Sequence, residues 1–158
     1  MSKYQALAFC CAVGVLFLAA PTRGSAVDDD EVVKTVNGDL LKEMLEDEGY
    51  KGVTVDKSSK DLHVVRMKMD GKEIVIFCNL KLGDILCRFA ISGTQANARK
   101  INAWNDSKRF FKAHLDKDGE PAFEHILVVK HGVTVKAVKA HVGLMELGVK
   151  AFLKEVCD

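Results

Sequence analysis

The sequence has little proline and no excess of charge of either sign. Only 2 of its 158 residues are proline and 12 are glycine, which excludes long disordered or fibrous segments. Lysine and arginine total 23 against 22 acidic residues, so the formal net charge is +1. Proteins that bind nucleic acids or other polyanions need a surplus of basic residues on one face, and this balance excludes that class. The length and the 48% hydrophobic content are those of one ordinary soluble domain.

The motifs of common catalytic and metal sites are also missing. There is no Gly-x-Ser-x-Gly elbow, no phosphate-binding glycine-rich loop and no His-x-x-x-His pair. The five histidines fall on different predicted elements, whereas zinc needs three or four converging ligands. The segment from Asp116 to Gly119 begins like a calcium loop, but its glycine is fourth where an EF-hand needs it sixth. We therefore expect no enzyme, no catalytic residue, no cofactor and no metal ion.

Residues 1–26 have the pattern of a secretory signal peptide. The uncharged stretch Ala6–Ala20 has 15 residues, fewer than the roughly 20 that cross a membrane, and Arg23 follows soon after it. Small residues before Val27 predict cleavage after Ala26. We expect a periplasmic or secreted domain of residues 27–158 without a stable membrane anchor. Retention of the segment as an uncleaved anchor is the alternative.

Hydrophobic periodicity predicts an α+β fold with an antiparallel sheet of five to six strands and three helices, in the order α-β-β-β-β-α-β-β-α. Short alternating segments separated by turn residues indicate strands, and apolar residues at steps of three and four indicate helices. The expected elements are a helix with apolar positions from Val33 that stops at Gly49, strands at Val53–Asp56, Leu62–Met69, Lys72–Cys78 and Ile85–Ile91, a helix capped by Thr94 and ending near Asn105, strands at Phe110–Asp116 and Pro121–Lys130, and a long helix from Val135 to Val156.

Three cysteines remain after the predicted cleavage, and they would face an oxidising compartment. Cys78 ends one predicted strand and Cys87 lies early in the next, so the connection between them can bring their Cβ atoms together. We expect a structural disulfide between Cys78 and Cys87, with free thiols or a redox-active pair as alternatives. For Cys157, an unpaired thiol and a cross-link between two chains both stay open.

A group of residues in the second half of the chain resembles the signature of the YbjN-like family. These residues are Ile101-Asn102-Ala103-Trp104-Asn105, then Arg109-Phe110, then Lys112 to Gly119. Leu45 with Gly49-Tyr50, the cysteine pair, and Gly132 before a long C-terminal helix with Phe152 are also similar to the family. His114 departs from it, because a tyrosine is usual there. The final helix departs as well, since it is aliphatic where the family is aromatic.

The resemblance implies a fold similar to that of type III secretion chaperones, which bind other polypeptides and often dimerise. It also implies a regulatory role in bacterial sensory transduction, and it supplies no catalytic residue. We expect an exported, non-enzymatic protein- or peptide-binding module, regulatory or chaperone-like, with homodimerisation left open. The alternatives are a thiol-dependent redox protein using Cys78 and Cys87, and a small hydrolase or metal binder in which His114 and His125 meet. The signature residues expected to be structural are Ile101, Asn102, Trp104, Asn105, Arg109, Phe110, Asp116 and Gly119.

Overall fold

The structure is a computed structural model, and it describes residues 27–94 and 96–157. The predicted signal peptide and its cleavage site lie outside these residues. The helices are α1 (Gly38–Asp47), α2 (Ala98–Ser107) and α3 (Val135–Phe152), which continues into a π-helical turn (Leu153–Cys157). The strands are β1 (Val32–Val33), β2 (Thr54–Asp56), β3 (Leu62–Met69), β4 (Lys72–Asn79), β5 (Asp84–Ala90), β6 (Lys112–Leu115), β7 (Pro121–Val128) and β8 (Val133–Thr134).

Six strands form one sheet in the order β2-β3-β4-β5-β7-β6, and every neighbouring pair is antiparallel. This confirms the predicted α+β class, the three helices and the antiparallel sheet. The bounds of β3 agree with the prediction, because its alternation is regular and a two-residue turn ends it. In that turn Asp70 (φ 49°) and Gly71 (φ 75°) both adopt the left-handed conformation that tight hairpins need.

The first helix begins later than the sequence predicts. Val32 and Val33 pair with Thr134 and Val133 as a two-stranded ribbon of β1 and β8, so Val33 lies outside α1. Two-residue strands are too short to give a periodic signal. The helix starts instead at Gly38, and Asn37 caps it: its side-chain oxygen accepts a hydrogen bond from the backbone N–H of Leu40 at 2.9 Å.

The cap predicted for the second helix is also wrong. Thr94 lies outside α2, and Asn97 caps the helix by accepting from the backbone N–H of Lys100 at 3.0 Å. Asparagine is at least as good an N-cap as threonine. Thr94 and Asn97 can both cap a helix, and α2 uses the later of the two.

All three helices contribute to one core on one face of the sheet. Val65, Ile76, Cys87 and Phe123 point from the four central strands into this core and are fully buried. Helix α3 lies close to the sheet at Gly148, where an added Cβ would be 2.9 Å from the rings of Phe111 and Phe123. The core depends on this glycine, because a side chain there would push the helix and the aromatic rings apart.

The start of the described chain is held against the domain. The Nζ of Lys139 is 2.8 Å from the Asp29 carboxylate and 3.3 Å from that of Glu48, and the Lys139 side chain is only 10% exposed. The backbone N–H of Val27 donates to the Asp47 carboxylate at 3.0 Å. The segment before β1 is therefore fixed to both α1 and α3.

Candidate binding surface

The two cysteines of the predicted disulfide are free thiols in the structure, so that prediction is wrong. In the ladder between β4 and β5, Cys78 lies opposite Ile85 and Cys87 lies opposite Ile76. The cysteines are therefore diagonal neighbours on the buried face, offset by two residues. Diagonal Cα atoms in an antiparallel pair are about 7–8 Å apart, beyond the roughly 4.4–6.8 Å that a disulfide spans. Cys157 ends the π-helical turn and is half-buried.

Burial also makes these thiols poor nucleophiles. It raises the pKa of Cys78 to about 12. Burial, together with the neighbouring Cys78, raises the pKa of Cys87 as well. Redox-active cysteines need a lowered pKa and access to solvent, because the thiolate is the reacting form. The local environment of both residues is thus the opposite of what the redox alternative requires.

The histidines proposed to meet across the β6–β7 hairpin do not meet. His114 lies opposite Ala122, and His125 lies on the other face of β7, since side chains alternate along a strand. His125 instead lies against His141 of α3, with ring centroids 3.9 Å apart. Among residues 27–94 and 96–157, no group of three or more His, Cys, Asp or Glu residues could hold a metal ion. The structure thus gives no support to the metal-binding alternative.

His125 and His141 contact each other at the edge of the core, with His141 buried and His125 half-buried. Burial, and then the nearby His125, lower the pKa of His141 to about 4. Burial also lowers the pKa of His125. The Nδ1 of His125 and the Nε2 of His141 are buried and have no hydrogen-bond partner in the described part of the chain. The centroids of the Phe110 and Phe111 rings lie 6.2 and 5.4 Å from that of His125, so the histidine pair belongs to an aromatic cluster.

Several signature residues join the second helix to the rest of the core. Ile101 and Trp104 are buried, and the Trp104 ring meets that of Phe152 edge-on at 5.0 Å. The side chain of Asn105 donates to the carbonyl oxygen of Ala113 at 3.1 Å and accepts from its N–H at 2.8 Å. These two bonds replace those that a neighbouring strand would supply to β6.

The other signature residues lie at the surface. The Asp116 carboxylate accepts from the backbone N–H groups of Asp118 and Glu120, each at 2.9 Å, and these bonds lower its pKa. Gly119 completes the same turn with φ 78°. Asn102 is exposed on α2. Arg109 and Phe110 are also exposed, and they line a hollow of about 370 Å³ beside His125 and Ile126.

The face of the sheet that points away from the core carries a continuous apolar row. We call the outward side chains of β3, β4, β5 and β7 the open face, because in the described part of the chain no helix packs on it. The strand registers place Val64, Phe77, Leu86 and Ile126 side by side across the four strands. Ile126 is 55% exposed, and the other three are partly exposed. Sequence alternation indicates which residues face outward, but it does not show that they align in one row.

Polar side chains border this apolar row on both sides. One neighbouring row contains Arg66, Val75, Arg88 and Glu124, and the other contains Leu62, Asn79, Asp84 and Val128. Two shallow hollows of about 290 and 280 Å³ flank Phe77, which lines both of them. An apolar centre with a charged rim is the general anatomy of a protein-binding surface.

Comparison with known proteins places the fold in a family. The model of the YbjN family, described as "Putative bacterial sensory transduction regulator", matches residues 37–158. The crystal structure of YbjN from E. coli, described as "a putative transcription regulator", is similar with a TM-score of 0.53 and 19% identity. That similarity covers 80% of this chain and 98% of the E. coli chain, and at this identity it shows the fold alone. No curated protein matches the sequence. Because the family match spans well over half of its length, the chain belongs to the YbjN family.

Proposed function

We propose that this protein is an exported, non-enzymatic regulator that acts by binding a polypeptide on its open face. The observation that carries the proposal is the uncovered row of Val64, Phe77, Leu86 and Ile126. Contiguous apolar surface of this kind marks interaction sites in soluble proteins. The family description supports a regulatory role.

The geometry of the open face suits a polypeptide better than a small molecule. Its hollows beside Phe77 are shallow, whereas small-molecule sites enclose most of their ligand. Burying the apolar row would supply roughly 25 cal/mol for each Å² removed from water. The flanking Arg66, Asp84 and Arg88 would then select partners by charge and orientation.

Photo-crosslinking tests the binding surface. A photoreactive phenylalanine analogue in place of Phe77 is expected to form adducts with a polypeptide in intact cells, and Leu86→Glu in the same chain should abolish them. The matched control is the analogue at Leu147, which is 65% exposed on α3, far from the open face in the fold. Equal adduct yields at both positions, or adducts that survive Leu86→Glu, would count against the proposal.

Export is tested by the N-terminus of the protein recovered from cells. The expected mature N-terminus is Val27, and Ala26→Arg should block processing because the cleavage site requires a small residue there. A protein that stays in the cytosol with Met1 attached would contradict export while leaving the binding surface to be judged separately.

A further inference from the structure

The first two rows of the open face are symmetric in residue type about the boundary between β4 and β5. Across β3, β4, β5 and β7, the first row reads apolar, polar, polar, apolar, and the middle row is apolar throughout. The third row starts with a cation and ends with an anion. The residues are Leu62, Asn79, Asp84 and Val128 in the first row, Val64, Phe77, Leu86 and Ile126 in the second, and Arg66, Val75, Arg88 and Glu124 in the third.

A surface with this symmetry is complementary to itself. Two open faces can be stacked about a two-fold axis that runs parallel to the strands, midway between β4 and β5. This operation places β4 of one copy over β5 of the other, and β3 over β7, while each row stays over the same row. In the first two rows, apolar residues then cover apolar residues and polar residues cover polar ones.

We propose that the polypeptide bound on the open face is a second copy of this chain, stacked face to face about this axis. The inference rests on the proposed function, because it names the partner of the same surface. Phe77 of each copy faces Leu86 of the other, and Val64 faces Ile126. Stacked sheets of this type cross at about 30°, so the match is closest at the centre of the face.

The pairing of Arg66 with Glu124 favours this partner over an unrelated polypeptide. The operation places Arg66 of each copy over Glu124 of the other, and the symmetry makes this contact twice. Within one chain Arg66 reaches Glu73 at 3.3 Å, but both side chains are at least half exposed, so that pair leaves the guanidinium available. Arg88 of the second copy lies over Val75, and its aliphatic stem covers the valine, as long basic side chains do on apolar surface. The two Arg88 residues, and likewise the two Asp84 residues, are neighbours across the axis, so the favourable charge contact is the one between Arg66 and Glu124.

Mixing two charge-reversal variants of the full-length protein tests the arrangement. Arg66→Glu and Glu124→Arg should each weaken self-association at least about tenfold, because each homodimer would contain two like-charge contacts. An equimolar mixture of the two should form heterodimers, since one contact is then native and the other is the reversed ion pair. Sedimentation equilibrium with one variant fluorescently labelled measures this. Lys117→Glu is the matched control, because Lys117 is 86% exposed at the tip of a hairpin outside the open face.

The outcomes separate this inference from the proposed function. Dimeric wild-type protein, weakened variants and recovery on mixing support the second copy. Wild-type protein that stays monomeric at every concentration reached, or variants that fail to recover on mixing, overturn it. If Phe77 then still crosslinks a different polypeptide in cells, the open face binds a partner of another sequence and the proposed function stands. If the protein neither self-associates nor crosslinks to a polypeptide, the dimer inference and the proposed function are both overturned.

Discussion

The two faces of the six-stranded sheet are built from the same strands but have different surroundings. On the inner face Ile76 and Ile85 are 0% exposed and are covered by the helices, whereas on the outer face Ile126 is 55% exposed. Similar side chains therefore stabilise the fold on the inner face, whereas on the outer face they stay accessible. Substitutions on the inner face should change the free energy of unfolding, and those on the outer face should change association.

The largest expected loss follows truncation of the buried tryptophan. Trp104→Ala should lower the free energy of unfolding by about 3–5 kcal/mol, because it leaves a cavity among Phe123 and Phe152. Urea denaturation measures the change. Phe110→Ala is the matched control, since Phe110 is 60% exposed and its loss should cost well under about 1 kcal/mol. Equal losses would show that the packing of Trp104 on Phe123 and Phe152 does not carry the stability assigned to it.

The histidine pair makes the inner face sensitive to acid. The pKa of His141 is lowered from 6.5 to about 4, so the folded protein binds its proton less readily than the unfolded chain does. Stability from this group is therefore fully present above about pH 6.5 and falls as the pH drops towards 4, by up to about 3 kcal/mol. Denaturation between pH 4 and 7 measures the decline.

The control for this pH dependence is His141→Leu, which should flatten the profile over the same range because it removes the titrating group. An unchanged slope in this variant would assign the acid sensitivity to other residues.

Two glycines of α3 should respond to alanine with opposite signs. At Gly148 the new Cβ would be 2.9 Å from two phenylalanine rings, so Gly148→Ala should destabilise the protein by about 1–3 kcal/mol. At Gly143 nothing lies within 4 Å of the added Cβ, and Gly143→Ala should stabilise the helix by about 0.5–1 kcal/mol. Thermal unfolding of the two variants side by side measures both changes. If both alanine variants were more stable, α3 would lie further from the sheet at Gly148 than the 2.9 Å approach indicates.

The smallest effect on stability is expected on the open face. Phe77→Ser should change the free energy of unfolding by about 1 kcal/mol or less, because the ring is only half-buried. The same variant should abolish the association proposed for this face. Denaturation and sedimentation on one sample measure both. A large loss of stability would place Phe77 with the core residues and remove the distinction between the two faces.

The sequence predicts elements better than it predicts how they align. The alternation in Leu62–Met69 is sufficient to locate β3, because the apolar or polar character of each residue indicates which face of the strand it occupies. The disulfide prediction fails by a register offset of two residues between Cys78 and Cys87, which depends on the turn between the strands. The contact of His125 with His141 and the apolar row of the open face depend on the packing of separate elements. No local pattern encodes that packing.

The docking of Val27 gives the proposed cleavage a structural consequence. Its backbone nitrogen lies 3.0 Å from the Asp47 carboxylate, where an uncut chain has a neutral amide. Cleavage after Ala26 would turn that nitrogen into an ammonium group facing a carboxylate, so maturation would create an ion pair that the precursor lacks. Processing would then act as a small stabilising modification of the domain as well as a release step.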